Sequence, residues 1–375
     1  MQKVMLFSFF NSNNIGDRVI AEIFFSELNS KYSVIPCSIE GSFEIKNQYV
    51  PEKLNVCQRI FNKVLQALSI RYLTPRYKRF LNKYRSEVKS CSHVVFGGGN
   101  LLMDYSDKSH SYLKLSDYIR VALENNAECY ALSIGIGPFY NSKQACLAAE
   151  TLNKCKKITF RDEKSYRLFV ENGGIADKAS VSYDPAFLFA RINNISTNNL
   201  DKENIIAVNV INPVWDGTQK SASVAEGYIR LIGEISKKSP SSKIVLFCTE
   251  KNDIPAREYI IKHFPEGNIS ANNIDSTDDL KALYVKSRII IGARMHSLII
   301  AYSCHIPVLG LSWASKVDEF FKKINKPEYC FDIYNVEKNI DEICDKINVN
   351  HNDWSYDEVI SEADYFLQKN LNQII

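Results

Sequence analysis

Short apolar runs, rich in β-branched residues, recur along almost the whole chain, and stretches long enough for a helix separate them. The runs are "KVMLFSF" (3–9), "SVIPCS" (33–38), "HVVFGG" (93–98), "ECYALSIG" (128–135), "KKITF" (156–160) and "ASVSYD" (179–184). A polar stretch, "ARINNISTNNLDKEN" (190–204), breaks the pattern, which resumes with "NIIAVNVI" (204–211), "SKIVLFCT" (242–249), "SRIIIGA" (287–293) and "HIPVLGLSW" (305–313). Strands that are continuously apolar, rather than alternating, belong to parallel sheets covered on both faces. A chain of 375 residues also exceeds what a single core usually supports. The expected architecture is α/β, with two Rossmann-like domains facing a cleft. The N-terminal domain spans 1–190, a linker 191–204 and the C-terminal domain 205–350; a helix over 351–375 is expected to pack back across both.

Composition excludes several alternatives. The formal net charge of +3 is too small for a general nucleic-acid binder, so any anion site must be local. The ten cysteines form no CxxC pair, and most sit in apolar runs such as "KIVLFCTE". That pattern favours buried thiols in a cytoplasmic protein over disulfides or zinc. The start "MQKVMLFSFFNSNN" lacks a small-residue cleavage site and reads as a first strand rather than a signal peptide. No run approaches the roughly 18 apolar residues of a membrane span. One stretch, "RYLTPRYKRFLNKYR" (71–85), carries six Lys/Arg, four Tyr/Phe and no acid. It reads as a solvated helix face with inward aromatics, or else as a peripheral contact to an anionic inner membrane face.

Ligands of doubly wound folds bind beyond the carboxyl ends of the strands, and four such ends are distinctive. In "FNSNNIGDRVIAEIFF" (10–25), Gly16 permits a tight turn and Asp17 can cap the next helix. In "VVFGGGNLLMDYSD" (94–107), Gly97, Gly98 and Gly99 allow a ligand to approach the backbone, or simply turn a tight corner. The third glycine of the dinucleotide fingerprint is missing. Asp104 follows closely enough to face the same place, or is a turn residue. In "ITFRDEKSYRLF" (158–169), Arg161 opens a helix against its dipole, which suggests either an anionic ligand or an ion pair with Asp162 or Glu163. In "GARMHSLIIAYSCHIPVLGLSWASK" (292–316), Arg294 and His296 mark one strand–helix junction and Lys316 the next. Consecutive parallel strands bring both junctions to one edge, where a helix N-terminus and three cationic or protonatable groups suit a phosphate or carboxylate. His305, at the far helix end, reads as structural. No cluster suggests a metal.

Taken in order, "NNIGD", "GGGNLLMD", "FRDEKS", "SYDPAF", "RMHSLIIA" and "PVLGLSWASK" resemble the polysaccharide pyruvyltransferase family across residues 10 to 320. The most specific element is R-M-H-S-L-I with a lysine twenty residues after the histidine. The resemblance implies a fold like that of the B-type glycosyltransferases. It also implies transfer of the pyruvyl group of phosphoenolpyruvate to a sugar diol, giving a cyclic ketal and phosphate without a further cofactor. It assigns Arg161, Arg294, His296 and Lys316 to the phosphoenolpyruvate site and Asp104 to the glycine motif. Trp313 stands where the family commonly has tyrosine. With its ordinary pKa near 6.5, His296 suits proton donation to the enol carbon. Asp104 is the first candidate base and Asp17 the second. The acceptor is a saccharide, free or lipid-linked. Two rivals remain. A nucleotide-sugar glycosyltransferase of the same architecture would want an acid beside the second-domain helix, but the first acid after Arg294 is Asp318. A non-catalytic glycan-assembly protein would have no need of four anion-binding groups.

Overall fold

The computed structural model describes residues 2–45, 75–197, 203–212, 220–348 and 354–374. The chain divides into two compact units. The first comprises Met1–Ser12, Ile20–Pro185 and Ala363–Ile375, and the second Asn13–Val19 and Ala186–Glu362. The division therefore falls at Pro185, ahead of the polar stretch, and residues 198–202 of that stretch lie outside the described residues.

The first unit holds seven parallel strands: β1 (Lys3–Ser8), β2 (Ser33–Ser38), β3 (His93–Gly97), β4 (Asn100–Asp104), β5 (Glu128–Phe139), β6 (Lys157–Phe160) and β7 (Ala179–Val181). Their order is β2-β1-β3-β5-β6-β7, with β4 joined to β5. The order reverses between β1 and β3. All five residues of β3 are buried, as is all of β1 after Lys3, as a sheet covered on both faces requires. An aromatic group fills the space behind β1. Phe7 stacks on Phe96 and Tyr118, with ring centroids 5.3 and 4.6 Å away, and meets Tyr84 edge-on at 5.2 Å. Each such pair adds about 0.5–1.5 kcal/mol beyond area burial.

Tyr84 comes from the helix Pro75–Val88, the described part of the basic stretch. Tyr77, Phe80, Tyr84 and Val88 recur at helical spacing and are buried, while Lys78, Arg79, Lys83 and Arg85 are exposed. The helix is thus amphipathic toward its own core. Residues 71–74, including Tyr72, lie outside the described residues.

The segment Ala363–Ile375 is built into this unit. It includes the end of the helix Asp357–Leu371. Asn370 is buried and donates to Thr159 Oγ1, within β6, at 3.1 Å and to Ser182 Oγ, just after β7, at 2.9 Å.

The second unit holds β8 (Ile205–Asn209), β9 (Lys243–Phe247), β10 (Ile269–Ala271), β11 (Ser287–Gly292), β12 (Val308–Ser312) and β13 (Cys330–Asp332). They are all parallel and run in the order β10-β9-β8-β11-β12-β13. Numbered within the unit, this is 3-2-1-4-5-6, the order of dinucleotide-binding folds, and it reverses between β8 and β11. All ten strands expected from sequence are present. The short β4, β10 and β13 are additional.

The segment 13–19 belongs with this second unit, not with the N-terminal domain to which the sequence assigned it. The backbone N–H of Ile15 donates to Thr249 O at 2.8 Å, and Asn14 forms an antiparallel bridge with Glu250. Among the described residues no helix is long and apolar enough to cross a membrane, and no disulfide links the cysteines.

Candidate active site

At the reversal point of the second sheet, β8 ends in Asn209, which is fully buried. Its Oδ1 accepts from the backbone N–H of Arg294 at 3.1 Å and from Ser297 Oγ at 3.2 Å. Asn209 therefore ties the end of β8 to the start of the helix Met295–Ser303, which Arg294 precedes. β11 and β12 pair in parallel with Gly292 opposite Gly310, so the Arg294 and Lys316 junctions leave the same edge.

Two acids from the loop after β9 hold the Arg294 guanidinium. Nε and one terminal nitrogen meet the two oxygens of Asp253 at 2.9 and 2.8 Å, and the other nitrogen meets Glu250 at 2.9 Å. Asp253 is fully buried and also accepts the Asn212 N–H at 2.9 Å. Burial works against the charge on Arg294, but the Asp253 hydrogen bonds and both acids outweigh it, so the guanidinium is held more firmly protonated than usual. Burial pushes the Glu250 carboxyl above the ordinary carboxylate range. Arg294 pulls it back, and Asp253 and Asp17 push it further up.

Trp313 is a shelf beneath the two cations. Its indole N–H donates to Ala293 O at 2.9 Å, and its ring centroid lies 5.6 Å from the Arg294 guanidinium carbon and 5.0 Å from Lys316 Nζ. Lys316 is exposed, in the first turn of the helix Ser315–Lys323.

His296 is buried, with Nδ1 3.9 Å from Asp17 Oδ1. A Cβ on Gly16 would sit 2.3 Å from the His296 Cβ and 2.5 Å from Nδ1. Gly16 is thus required by the imidazole that lies against it, not by a turn. The helix Ile15–Asn29 starts before Asp17, and the Asn14 side chain accepts the Gly16 N–H at 2.9 Å. Asp17 is a first-turn acid, favoured there by the helix dipole, rather than the cap the sequence suggested. His305 stacks on Tyr356 with centroids 4.7 Å apart and lies 3.4 Å from Asp357, in keeping with a structural histidine.

In the first unit, Arg161 follows β6 directly. One guanidinium nitrogen donates to Asp184 at 3.2 Å, and Nε lies 3.6 Å from Asp162. Asp162 itself caps the helix Glu163–Glu171 through Ser165 N at 2.7 Å. An acid beyond β7 therefore balances this arginine, a partner sequence spacing did not suggest. A Cβ on Gly135 would lie 2.9 Å from Arg161 Nε.

The three glycines serve the unit's own packing. Gly98 and Gly99 adopt φ of +62° and +71°, and an added Cβ would strike Ile20 at 2.1 Å or Phe9 at 2.5 Å. A Cβ on Gly97 would meet Phe24 at 2.9 Å. Asp104 is buried and takes hydrogen bonds from Ser109 Oγ at 2.6 Å, Ser111 N at 2.8 Å and Ser111 Oγ at 3.1 Å. These bonds occupy both carboxylate oxygens and close the turn into the helix Ser111–Glu124, which is the turn-residue alternative.

Sequence reasoning missed Glu250, Asp253, Asn209 and Asp184. The available signal was position: each ends a strand or follows a strand's carboxyl end. Among the described residues, no group of three or more His, Cys, Asp and Glu could hold a metal ion.

Residues 14–315 match the family model described as polysaccharide pyruvyl transferase. No curated protein sequence matches the chain. Its fold is similar to that of several solved structures. A putative UDP-N-acetylglucosamine 2-epimerase from Listeria monocytogenes has a TM-score of 0.61 at 12% identity, covering 99% of this chain and 94% of that one. The UDP-GlcNAc 2-epimerase of Methanocaldococcus jannaschii has 0.59 at 11%, covering 98% and 99%. The Neisseria meningitidis enzyme bound to UDP-GlcNAc has 0.56 at 12%, covering 100% of both chains. At such identities the likeness is one of fold, that of the two-unit enzymes resembling B-type glycosyltransferases. The family match spans most of the sequence and includes the Arg294–His296 junction, so this chain belongs to the polysaccharide pyruvyl transferase family.

Proposed function

We propose that the protein transfers the pyruvyl group of phosphoenolpyruvate to two hydroxyls of one saccharide, forming a cyclic ketal and releasing phosphate. The observation that carries this reading is that Arg294 and Lys316 leave the same sheet edge and share the Trp313 ring, with His296 in the first turn of the helix that Arg294 precedes. The donor carries a phosphate and a carboxylate, and such a corner suits oxyanions by charge and by dipole.

The chemistry then follows from the residues. His296 gives its proton to the methylene carbon of the enol, which becomes the methyl group. The adjacent carbon, now electron-poor, bonds to a sugar hydroxyl oxygen as that hydroxyl loses its proton. The carbon–oxygen bond to phosphate breaks, and a neighbouring hydroxyl closes the ketal. Of the two hydroxyl protons, one balances the new methyl group and the other leaves with phosphate. Asp17, 3.9 Å from His296, is our candidate base in place of Asp104, whose oxygens are engaged by Ser109 and Ser111. Lys316 is assigned to a donor anionic group, as the family resemblance implies. No cofactor is invoked beyond the donor substrate.

The test is to offer phosphoenolpyruvate with a range of saccharides, measuring phosphate release and the mass of the product. A saccharide gaining a pyruvyl group with stoichiometric phosphate is expected. The fold is shared with proteins solved with UDP or UDP-sugars bound. Turnover of a UDP-sugar with none of phosphoenolpyruvate would therefore replace this reading with glycosyl transfer.

A further inference from the structure

We propose that Glu250 is a built-in counter-ion that the anionic donor must displace from Arg294, and that the displaced carboxylate takes up a proton from solvent. This rests on the assignment of Arg294 to the donor. The two acids on Arg294 are not equivalent. Asp253 is fully buried, grips two guanidinium nitrogens and accepts the Asn212 N–H, so it fixes the arginine in place. The Glu250 backbone is fixed too, by its bridge to Asn14. Its carboxylate, however, meets Arg294 at 2.9 Å through one nitrogen and otherwise the Asn252 amide at a long 3.4 Å. Glu250 is the contact that can yield.

The charges around it make yielding necessary. Asp253 lies on its own loop, and Asp17 approaches from the helix Ile15–Asn29 with His296 beyond it. The Lys251 ammonium pairs with Asp275 at 3.1 Å. Tyr228, from the helix Lys220–Lys238, donates its hydroxyl hydrogen to Asn209 O. The Arg294 guanidinium thus meets Glu250 and Asp253, with Lys316 sharing its Trp313 ring, while Asp17 adds negative charge at Glu250, and an incoming phosphate or carboxylate brings more. If a donor oxygen takes the nitrogen now held by Glu250, the carboxyl loses the cation it is paired with. Burial, Asp253 and Asp17 then all favour its neutral form. Donor binding and protonation of Glu250 are thereby a single exchange.

The test is calorimetry of phosphoenolpyruvate binding at pH 7.5, in two buffers of different ionisation enthalpy, on the full chain and on Glu250→Gln. The substitution keeps the shape and removes the charge. It should tighten binding about tenfold or more and reduce the protons taken up by close to one. Inorganic phosphate is the second probe. If phosphoenolpyruvate binds both proteins equally, the counter-ion role falls and the donor assignment stands. If phosphoenolpyruvate binds neither but phosphate shows the tightening, the counter-ion role stands and the donor assignment falls. Tighter binding with undiminished proton uptake overturns the exchange. Glu250→Ala, checked by its melting curve, serves where Gln fails to fold; weakened binding in either folded variant also overturns the proposal.

Discussion

Arg161 in the first unit and Arg294 in the second invite comparison. Each lies within two residues of the end of a parallel strand and precedes a helix, and their side chains are 10% and 13% exposed. Their acid partners differ in kind. Arg161 has Asp184 at 3.2 Å and Asp162 at 3.6 Å, whereas Arg294 is forked onto Asp253 and also held by Glu250. Asp184 comes from beyond the adjacent strand β7. The acids on Arg294 come from beyond β9, with β8 lying between. A fork such as that of Asp253 fixes a guanidinium plane. Burial of an arginine at a strand end therefore does not reveal its use. The geometry of its carboxylates does.

The sharpest test of the second unit's corner is His296→Gln, which keeps a hydrogen-bonding side chain but removes the transferable proton. Donor affinity should persist while saturated turnover falls roughly 10²–10⁴-fold. A variant with near-normal turnover would make His296 a mere ligand. The comparison of arginines predicts a difference in stability. Asp184→Ala removes the buried carboxylate 3.2 Å from Arg161, and breaking a buried pair by removing one partner costs about 3–5 kcal/mol. Asp253→Ala should cost less, because Glu250 remains 2.9 Å from Arg294. Chemical denaturation of both variants decides, and the reverse order would break the comparison.

A smaller effect separates Glu250 from the other acids by pH. Its folded pKa is raised, with burial the largest cause, so its contribution is fully present below the unfolded value and is lost as pH rises through the folded one. Glu250→Gln should therefore raise the melting temperature at pH 7 relative to the parent, by at most about 1 kcal/mol of stability, and the advantage should vanish near pH 4. An advantage that grows toward acid pH would contradict the raised value. Least affected should be the outward cations of the helix Pro75–Val88. Replacing Lys78, Arg79 and Lys83 with Gln should alter stability by no more than about 0.5 kcal/mol each. Because Tyr77, Phe80 and Tyr84 are buried in their own core, binding to anionic vesicles should be negligible before and after. Salt-sensitive vesicle binding would restore the membrane reading of that stretch.

Much of this was legible in the sequence because a strand covered on both faces must be apolar throughout. β1, β3, β8 and β12 announce themselves in this way. β10 and β13 have three residues each, too few to show a period, and β4 hides behind the glycine corner. The Arg294, His296 and Lys316 junctions were readable because strand–helix boundaries are. Their partners were not, because Glu250 and Asp253 reach Arg294 only through the strand order, with β9 and β11 flanking β8, and spacing along a chain does not contain that order. The side chains packed on the glycines were hidden for a related reason. Sequence shows that a backbone can be approached closely, and here Phe9, Ile20, Phe24 and His296 make the approach.

The first unit is sewn together from separated stretches of chain, and this has a consequence for synthesis. Thr159 and Ser182 receive their hydrogen bonds from Asn370, and Glu27 receives one from Gln368 at 2.5 Å. All the strands of that sheet are made early, yet the segment bearing Asn370 emerges after the entire second sheet. Until then the buried hydroxyls beside β6 and β7 lack their amide, and the surface that the C-terminal helix covers stays open. A nascent chain of this protein must therefore hold an unfinished first sheet while the second forms. That interval is when a chaperone would find the most to shield.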